Sequence, residues 1–335
     1  MKLAIVGSFG GTHLGGSLAR AGEGLGFDVV RFDTSEAESG GRLSKALRWR
    51  FADRMPSRLG RFGQTVTRRC ETEGVDTLVA TAAAALDAWA VGALRRLGVR
   101  CVNFSSDDPW NPVLSANWHL RALPQYDLVL TPRQANLDDF RRLGCRRVAY
   151  LPFGYDDALF GPGAADSQAT VHDVLFVGGA DRERVRFMRQ FMGSGPPVAL
   201  VGGYWPRFSA TRAHALGLKT PREIGALTAS AKINLCLVRR ANRDGHVMRS
   251  LEIASIGGTM LAEDTADHRS FFGEDADCVV YFSDASVAAA RAKALIEDPA
   301  ERRRLAASLR ARMADARHTY RDRLQSLFEI LGDER

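Results

Sequence analysis

Asn242-Arg243-Asp244-Gly245-His246-Val247-Met248-Arg249-Ser250-Leu251-Glu252-Ile253-Ala254-Ser255-Ile256-Gly257-Gly258 reads as a polar loop, a short helix and a glycine stop. Asp244 and Gly245 are turn residues. Val247, Leu251 and Ala254 recur at helical spacing over residues 246–256, and Gly257 and Gly258 end the helix. Thr259–Ala262 then reads as a buried strand. Arg249 and Glu252 stand three apart and share a helix face, roughly 5–6 Å between Cβ atoms. They lie near a helix start, whose free N–H groups favour anions. A nucleoside diphosphate offers the matching chemistry: an anionic diphosphate for the arginine, and a ribose diol that donates to the carboxylate. The same spacing also suits a plain ion pair on a solvated helix.

Outward from this stretch, strand and helix alternate through the chain. Strands are expected at Lys2–Val6, Asp28–Phe32, Asp76–Thr81, Arg100–Asn103, Asp127–Leu130 and Arg147–Tyr150, with helices such as Ala82–Leu97 and Gln134–Leu143 between them. Gly74, Gly98 and Gly144 sit where helices should stop. Pro152–Ala169 is the best linker. Alternation restarts with strands at Asp173–Val177, Val198–Val201, Lys232–Cys236 and Cys278–Phe282, and helices at Arg182–Phe191, Pro221–Ala229, Ala285–Ile296, Ala300–Ala316 and Tyr320–Leu331. Such a pattern implies parallel sheets covered on both faces, in two successive doubly wound units.

The chain has 335 residues, enough for two ordinary domains, and is 45% hydrophobic, as globular proteins are. No run is long enough to span a bilayer. Met1–Gly7 is too quickly broken by glycine for a signal peptide and reads as a first core strand. Cys70, Cys101, Cys145, Cys236 and Cys278 are widely spaced, which argues for reduced core thiols, a cytoplasmic location and no zinc site. Net charge is +7, with 41 of 46 basic residues arginine. That balance suits diphosphates or an acidic membrane surface; no nucleic-acid module is present.

Asp244 and Glu252, eight apart, form a variant of the E-x7-E motif, with Asp in the first position. With Ile233-Asn234-Leu235, Arg239-Arg240-Ala241-Asn242, Glu263, His268, Phe271-Phe272, and His318-Thr319-Tyr320, they make the chain resemble the GT-B nucleotide-sugar glycosyltransferases, in their spore-maturation-protein-like branch. The likeness is dense from residue 171 onward and rests on Asp107-Asp108-Pro109 before that. It implies an α/β fold of two Rossmann-like domains facing a central cleft. Residues 1–155 would form the acceptor side, joined by a final helix (318–335) crossing back, and 156–317 the donor side. It implies a metal-independent transferase moving a sugar from a nucleotide diphosphate donor to a hydroxyl acceptor, mostly with retention, and needing no cofactor beyond that donor. Glu252 would hold the ribose, Arg249 the diphosphate, and Asp244 and His246 would lie next to the donor sugar or its phosphates. A GT-B-type nucleotide-sugar epimerase and a non-catalytic nucleotide-sugar binder are the alternatives.

Other loops follow predicted strands, where parallel sheets carry ligand sites. Gly7-Ser8-Phe9-Gly10-Gly11-Thr12-His13 opens a helix but is not G-x-G-x-x-G, which weakens a dinucleotide reading even with Asp33 as a ribose acid. Gly10 and Gly11 would let a ligand approach, and His13 would either touch the acceptor or cap the helix. In Ser105-Ser106-Asp107-Asp108-Pro109, Asp107 is the candidate base and Asp108 fits an Asx turn. Gly178 and Gly179, with Arg182 and Arg184 on the helix behind, suit the donor phosphates. Tyr204 offers a ring to the base, and Trp205 reads as a buried aromatic under its loop. Residues 42–69 interleave nine basic residues with Leu43, Leu47, Trp49, Phe51, Met55, Leu59 and Phe62, broken by Pro56. They suit a core-packing helix with a charged face, an anionic acceptor, or peripheral contact with the anionic inner face of a membrane.

Overall fold

The computed structural model describes residues 1–39, 41–161, 171–314 and 316–332, with the side chains of 42–46 left aside. It divides into two compact units: residues 1–153, 239–244 and 320–335 in the first, and 154–238 and 245–319 in the second.

The first unit runs β1 (Lys2–Gly7), α1 (Leu14–Gly24), β2 (Asp28–Asp33), α2 (Arg42–Phe51), α3 (Leu59–Glu73), β3 (Thr77–Thr81), α4 (Ala88–Arg96), β4 (Arg100–Phe104), α5 (Asn117–Ala122), β5 (Leu128–Thr131), α6 (Leu137–Arg142) and β6 (Val148–Tyr150). Its six strands lie in the order β2-β1-β3-β4-β5-β6, every pair parallel. Successive residues of a strand face opposite sides of the sheet. Leu3, Ala4, Ile5 and Val6 are all buried, so helices cover both faces, as parallel sheets require. Gly74, Gly98 and Gly144 take positive φ at the helix ends where the sequence places stops. The helix expected from Ala82 starts only at Ala88. Asp87 caps it by accepting from the Ala90 N–H at 2.9 Å, and Ala82 has φ of 53°, outside the helical region.

The second unit runs α7 (Asp157–Phe160), β7 (Val174–Val177), α8 (Arg182–Ser194), β8 (Val198–Val201), β9 (Ala215–Gly217), α9 (Pro221–Ser230), β10 (Ile233–Cys236), α10 (Met248–Ile256), β11 (Met260–Glu263), α11 (Ala266–Phe272), β12 (Val280–Phe282), α12 (Ala285–Glu297) and α13 (Pro299–Ala314). Its sheet, again parallel, has the order β12-β11-β10-β7-β8-β9. Met188 and Phe191 of α8 and Ala288 and Ala292 of α12 pack one face, and Ile224 and Leu227 of α9 with Phe160 pack the other. The edge strand β9 carries no apolar run and was not legible in the sequence. Of the expected linker, residues 162–169 lie outside the described residues, whereas 157–160 fold as α7. The last helix, α14 (Tyr320–Gly332), belongs to the first unit, where Phe328 meets Phe27 edge-on at 5.2 Å and Arg323 donates to the Phe153 carbonyl at 3.0 Å.

All five cysteines are free and buried. Burial pushes the Cys70, Cys145 and Cys236 thiols up to about 12, so they stay protonated and inert.

Candidate functional site

In a parallel sheet, the loops leaving the carboxyl ends of the strands gather at one edge. In the second unit these are the turns after β7, β8, β10 and β11. After β7, Gly178 donates to the Val201 carbonyl at 2.8 Å, and Ala180 to the Gly203 carbonyl at 2.9 Å, so the first two turns are laced together. Gly202 is the residue that allows this. Its φ is +134°, and a Cβ there would stand 2.3 Å from the Gly178 oxygen. The buried Trp205 lies beneath, its indole N–H donating to the same carbonyl at 2.8 Å. Asp181 caps α8 by accepting from the Arg184 N–H at 2.8 Å. Arg184 is folded over the loop, donating to the Gly179 carbonyl at 3.0 Å and lying 5.5 Å above the Phe176 ring, while Arg182 is exposed. Tyr204 is exposed, in a left-handed conformation with φ of 72°, and the Arg207 guanidinium sits 4.4 Å over its ring.

The loop after β10 leads into α10, which starts at Met248, two residues later than the apolar spacing suggests, because Val247 is extended. A valine cap offers no acceptor to the helix N–H groups, and Ser250 turns its hydroxyl back to the Val247 carbonyl at 2.6 Å. Arg249 and Glu252 share a face one turn in, as expected, but that face is not solvated. Only 3% of Glu252 is exposed. The two side chains touch as an ion pair, and the guanidinium lies 5.7 Å over the Phe160 ring. Among the described residues, however, neither Glu252 Oε2 nor Arg249 Nε and Nη1 makes a hydrogen bond. Burial, chiefly, and the nearby Asp156 raise the Glu252 pKa above the ordinary carboxylate range, with Arg249 opposing. Buried charges without hydrogen bonds are costly in a free protein, and a polar ligand would relieve that cost.

His246 is held beneath this helix start. Its Nδ1 faces Asp267 Oδ2 at 2.9 Å and its ring meets Phe271 at 4.9 Å. The Thr265 hydroxyl donates to the Gly245 carbonyl at 2.5 Å, and a Cβ at Gly245 would fall 2.5 Å from the Asp267 carboxyl carbon. The His246 side chain is fully covered, so it braces the loop. Asp267 and Thr265 were missed in the sequence because their partner lies about 20 residues away.

The first unit has its own polar cluster, at the carboxyl ends of β4 and β5 and including residues 239–244. Arg133 is buried and donates Nε to Asp244 Oδ1 at 2.5 Å and Nη2 to the Ser106 carbonyl at 2.7 Å. Asp108 makes the Asx turn, accepting from the Trp110 N–H at 3.0 Å. It also receives Arg243 through two bonds of 2.6 and 3.1 Å. Asn242 donates to Asp107 at 3.2 Å and accepts from Asn111 at 2.6 Å. Asp244 is thus clasped by a buried arginine, with 4% of its side chain exposed. Arg133 is not legible as a site residue in the sequence, because Thr131-Pro132-Arg133 reads as an ordinary turn. Gly10, Gly11 and His13 are exposed on the loop after β1, His13 at the cap position of α1 without a capping bond from its side chain. Asp33 caps a single 3-10 turn by accepting from the Ser35 N–H at 2.8 Å. Among the described residues, no three His, Cys, Asp or Glu side chains are grouped to hold a metal ion.

Residues 182–329, which contain α8, α10 and the Arg249–Glu252 pair, match a family model described as glycosyl transferase-like. The chain is similar over its whole length to solved structures. A sucrose-phosphate synthase from Thermosynechococcus elongatus is 15% identical, with all of both chains covered and a TM-score of 0.71. HepE of Anabaena, solved with UDP and glucose, is 13% identical, with 99% of this chain and 100% of that one covered and a TM-score of 0.66. A UDP-forming α,α-trehalose-phosphate synthase from Burkholderia xenovorans is 14% identical, with 97% and 98% covered and a TM-score of 0.66. The fold is therefore GT-B. No curated protein sequence matches the chain.

Proposed function

We propose that this chain is a metal-independent, retaining glycosyltransferase that takes a sugar from a nucleoside diphosphate donor, UDP first among the bases, to a hydroxyl acceptor. The reading rests on one observation: Glu252, buried at the start of α10, and the half-buried Arg249 face each other as an ion pair, yet Glu252 Oε2 and Arg249 Nε and Nη1 make no hydrogen bond among the described residues. A ribose diol donates to the carboxylate. A diphosphate accepts from the guanidinium and from the uncapped N–H groups of the helix, which carry a partial positive charge. As the bond to the sugar breaks, negative charge builds on the leaving diphosphate, and donors already in place stabilise it without reorganising.

The laced glycine turns at Gly178 and Gly179 give a phosphate access to backbone, with Arg182 and Arg184 as flanking cations. Tyr204 supplies a face for the base. His246, steadied by Asp267, holds the loop that meets the donor sugar or its phosphates. Asp244 completes the variant E-x7-E motif of the spore-maturation-protein-like branch, and its bond to Arg133 makes it a positioning residue for that loop. Asp107 orients or deprotonates the acceptor hydroxyl, and His13 contacts the acceptor. The presence of UDP in solved HepE and the UDP-forming activity named for the Burkholderia enzyme support uridine as the base.

The test is thermal shift with UDP, GDP, TDP and their sugars. A nucleotide at about 100 times its Kd adds roughly 2.7 kcal/mol of stability. UDP is expected to raise the melting temperature of the wild type, and Glu252→Gln to lose most of that rise. Equal stabilisation of both proteins would remove Glu252 from the site. Release of UDP from the sugar nucleotide without any acceptor product would point to hydrolysis or epimerisation instead of transfer.

A further inference from the structure

Residues 42–69 divide at Pro56. The second half, α3, buries Leu59, Phe62, Val66 and Cys70 and turns its arginines outward, the ordinary amphipathic arrangement. In the first half, apolar and basic side chains are exposed together: Leu47, Trp49, Arg50 and Phe51 all meet solvent. Of twelve large hydrophobic side chains exposed among the described residues, four fall within residues 47–55: Leu47, Trp49, Phe51 and Met55. Phe51 is 75% exposed. A fifth, Val113, adjoins them, because Arg54 lies 5.6 Å from the Trp49 ring and donates to the Pro112, Val113 and Ser115 carbonyls. Scattered exposed apolar residues need no explanation, but a cluster does.

Charge says what covers it. Residues 42–69 hold nine basic residues and one acid, Asp53, leaving 37 basic and 38 acidic residues in the rest of the chain. The whole positive excess of the protein therefore sits on this stretch. Asp53 itself is engaged by the Trp118 N–H at 3.1 Å. Exposed tryptophan, phenylalanine and leucine among arginines are what the headgroup region of an anionic bilayer accepts. The rings enter the acyl boundary, and cations near the surface are drawn to the anionic headgroups.

We propose that the end of α2 and the turn to Pro56 dock this protein on an anionic membrane surface. The inference stands apart from the donor chemistry, which rests on other residues.

The experiment is co-sedimentation of the full chain with vesicles of phosphatidylcholine alone and with phosphatidylglycerol added. Binding at least tenfold stronger to the anionic vesicles, weakened by salt, is expected. The pair Leu47→Ser with Phe51→Ser should abolish it, and Arg50→Glu with Arg58→Glu should reduce it to the level of neutral vesicles. These side chains are exposed, so the melting temperature of each variant should match the wild type, which separates lost docking from lost folding. Equal binding to both vesicle types, no binding, or binding untouched by the variants would overturn the proposal. So would a dimer in vesicle-free solution that the Leu47 and Phe51 substitutions dissociate, since the occupant would then be a second copy of the chain.

Discussion

Asp244 and Glu252 are eight residues apart, both acidic, both buried and both facing an arginine, yet their surroundings are opposite. Asp244, in the first unit, is clasped by Arg133, which is itself fixed by the Ser106 carbonyl. Glu252, in the second unit, meets Arg249 as an ion pair through Oε2 and Nη1, and neither of those atoms nor Arg249 Nε makes a hydrogen bond among the described residues. A satisfied buried pair holds a structure together. An unsatisfied one is strain the free protein carries, and such strain concentrates at sites that bind.

The largest effect should come from breaking the satisfied pair. Asp244→Ala leaves the buried Arg133 cation without its counter-charge, which should cost about 3–5 kcal/mol in urea unfolding. A loss below about 1 kcal/mol would place Asp244 with the ligand-binding acids.

The two units also report separately on acid. Burial pushes His119, in the first unit, and His268, in the second, down to about 4. Each is neutral when folded but takes a proton near pH 6.5 when unfolded. The unfolded state therefore binds more protons between those values. Stability should fall as pH drops from about 6.5 to 4, by up to roughly 3 kcal/mol per histidine. Unfolding at pH 7 and 4.5 checks this, and His119→Leu or His268→Leu should each flatten the dependence.

Breaking the unsatisfied pair should hardly touch stability while removing binding. Glu252→Gln is expected to weaken UDP binding by 10- to 100-fold, about 1.4–2.7 kcal/mol, with unfolding changed by less than that. Titration calorimetry measures the first. A variant that unfolds as readily as Asp244→Ala would erase the contrast.

The smallest effect belongs to Tyr204. Tyr204→Gly relieves its positive φ and deletes the ring. The melting temperature should hold or rise, while nucleotide affinity falls about fivefold, the worth of one stacking contact near 1 kcal/mol. Unchanged affinity would free the ring from the site.

Much of this was legible because it is local. Eleven strands follow from apolar runs, and the helix stops follow from Gly74, Gly98 and Gly144, since only glycine takes positive φ cheaply. The helix over Arg249 and Glu252 and their shared face follow from a 3.6-residue period. Illegible were Arg133, Asp267 and Asn111, whose meaning depends on partners 111, 21 and 131 residues away. Also hidden was the division at Pro56, since α2 and α3 carry the same mixture of arginine and apolar residues, and only packing shows which set is covered.

By itself, then, the sequence determined two parallel sheets, the helices over them and the glycine turns at their carboxyl ends, because backbone preference and apolar periodicity act within a few residues. The tertiary structure alone decided which acid is clasped and which is left unsatisfied, and which aromatic residues meet solvent. Burial and hydrogen-bond satisfaction depend on groups that folding brings together from distant parts of the chain.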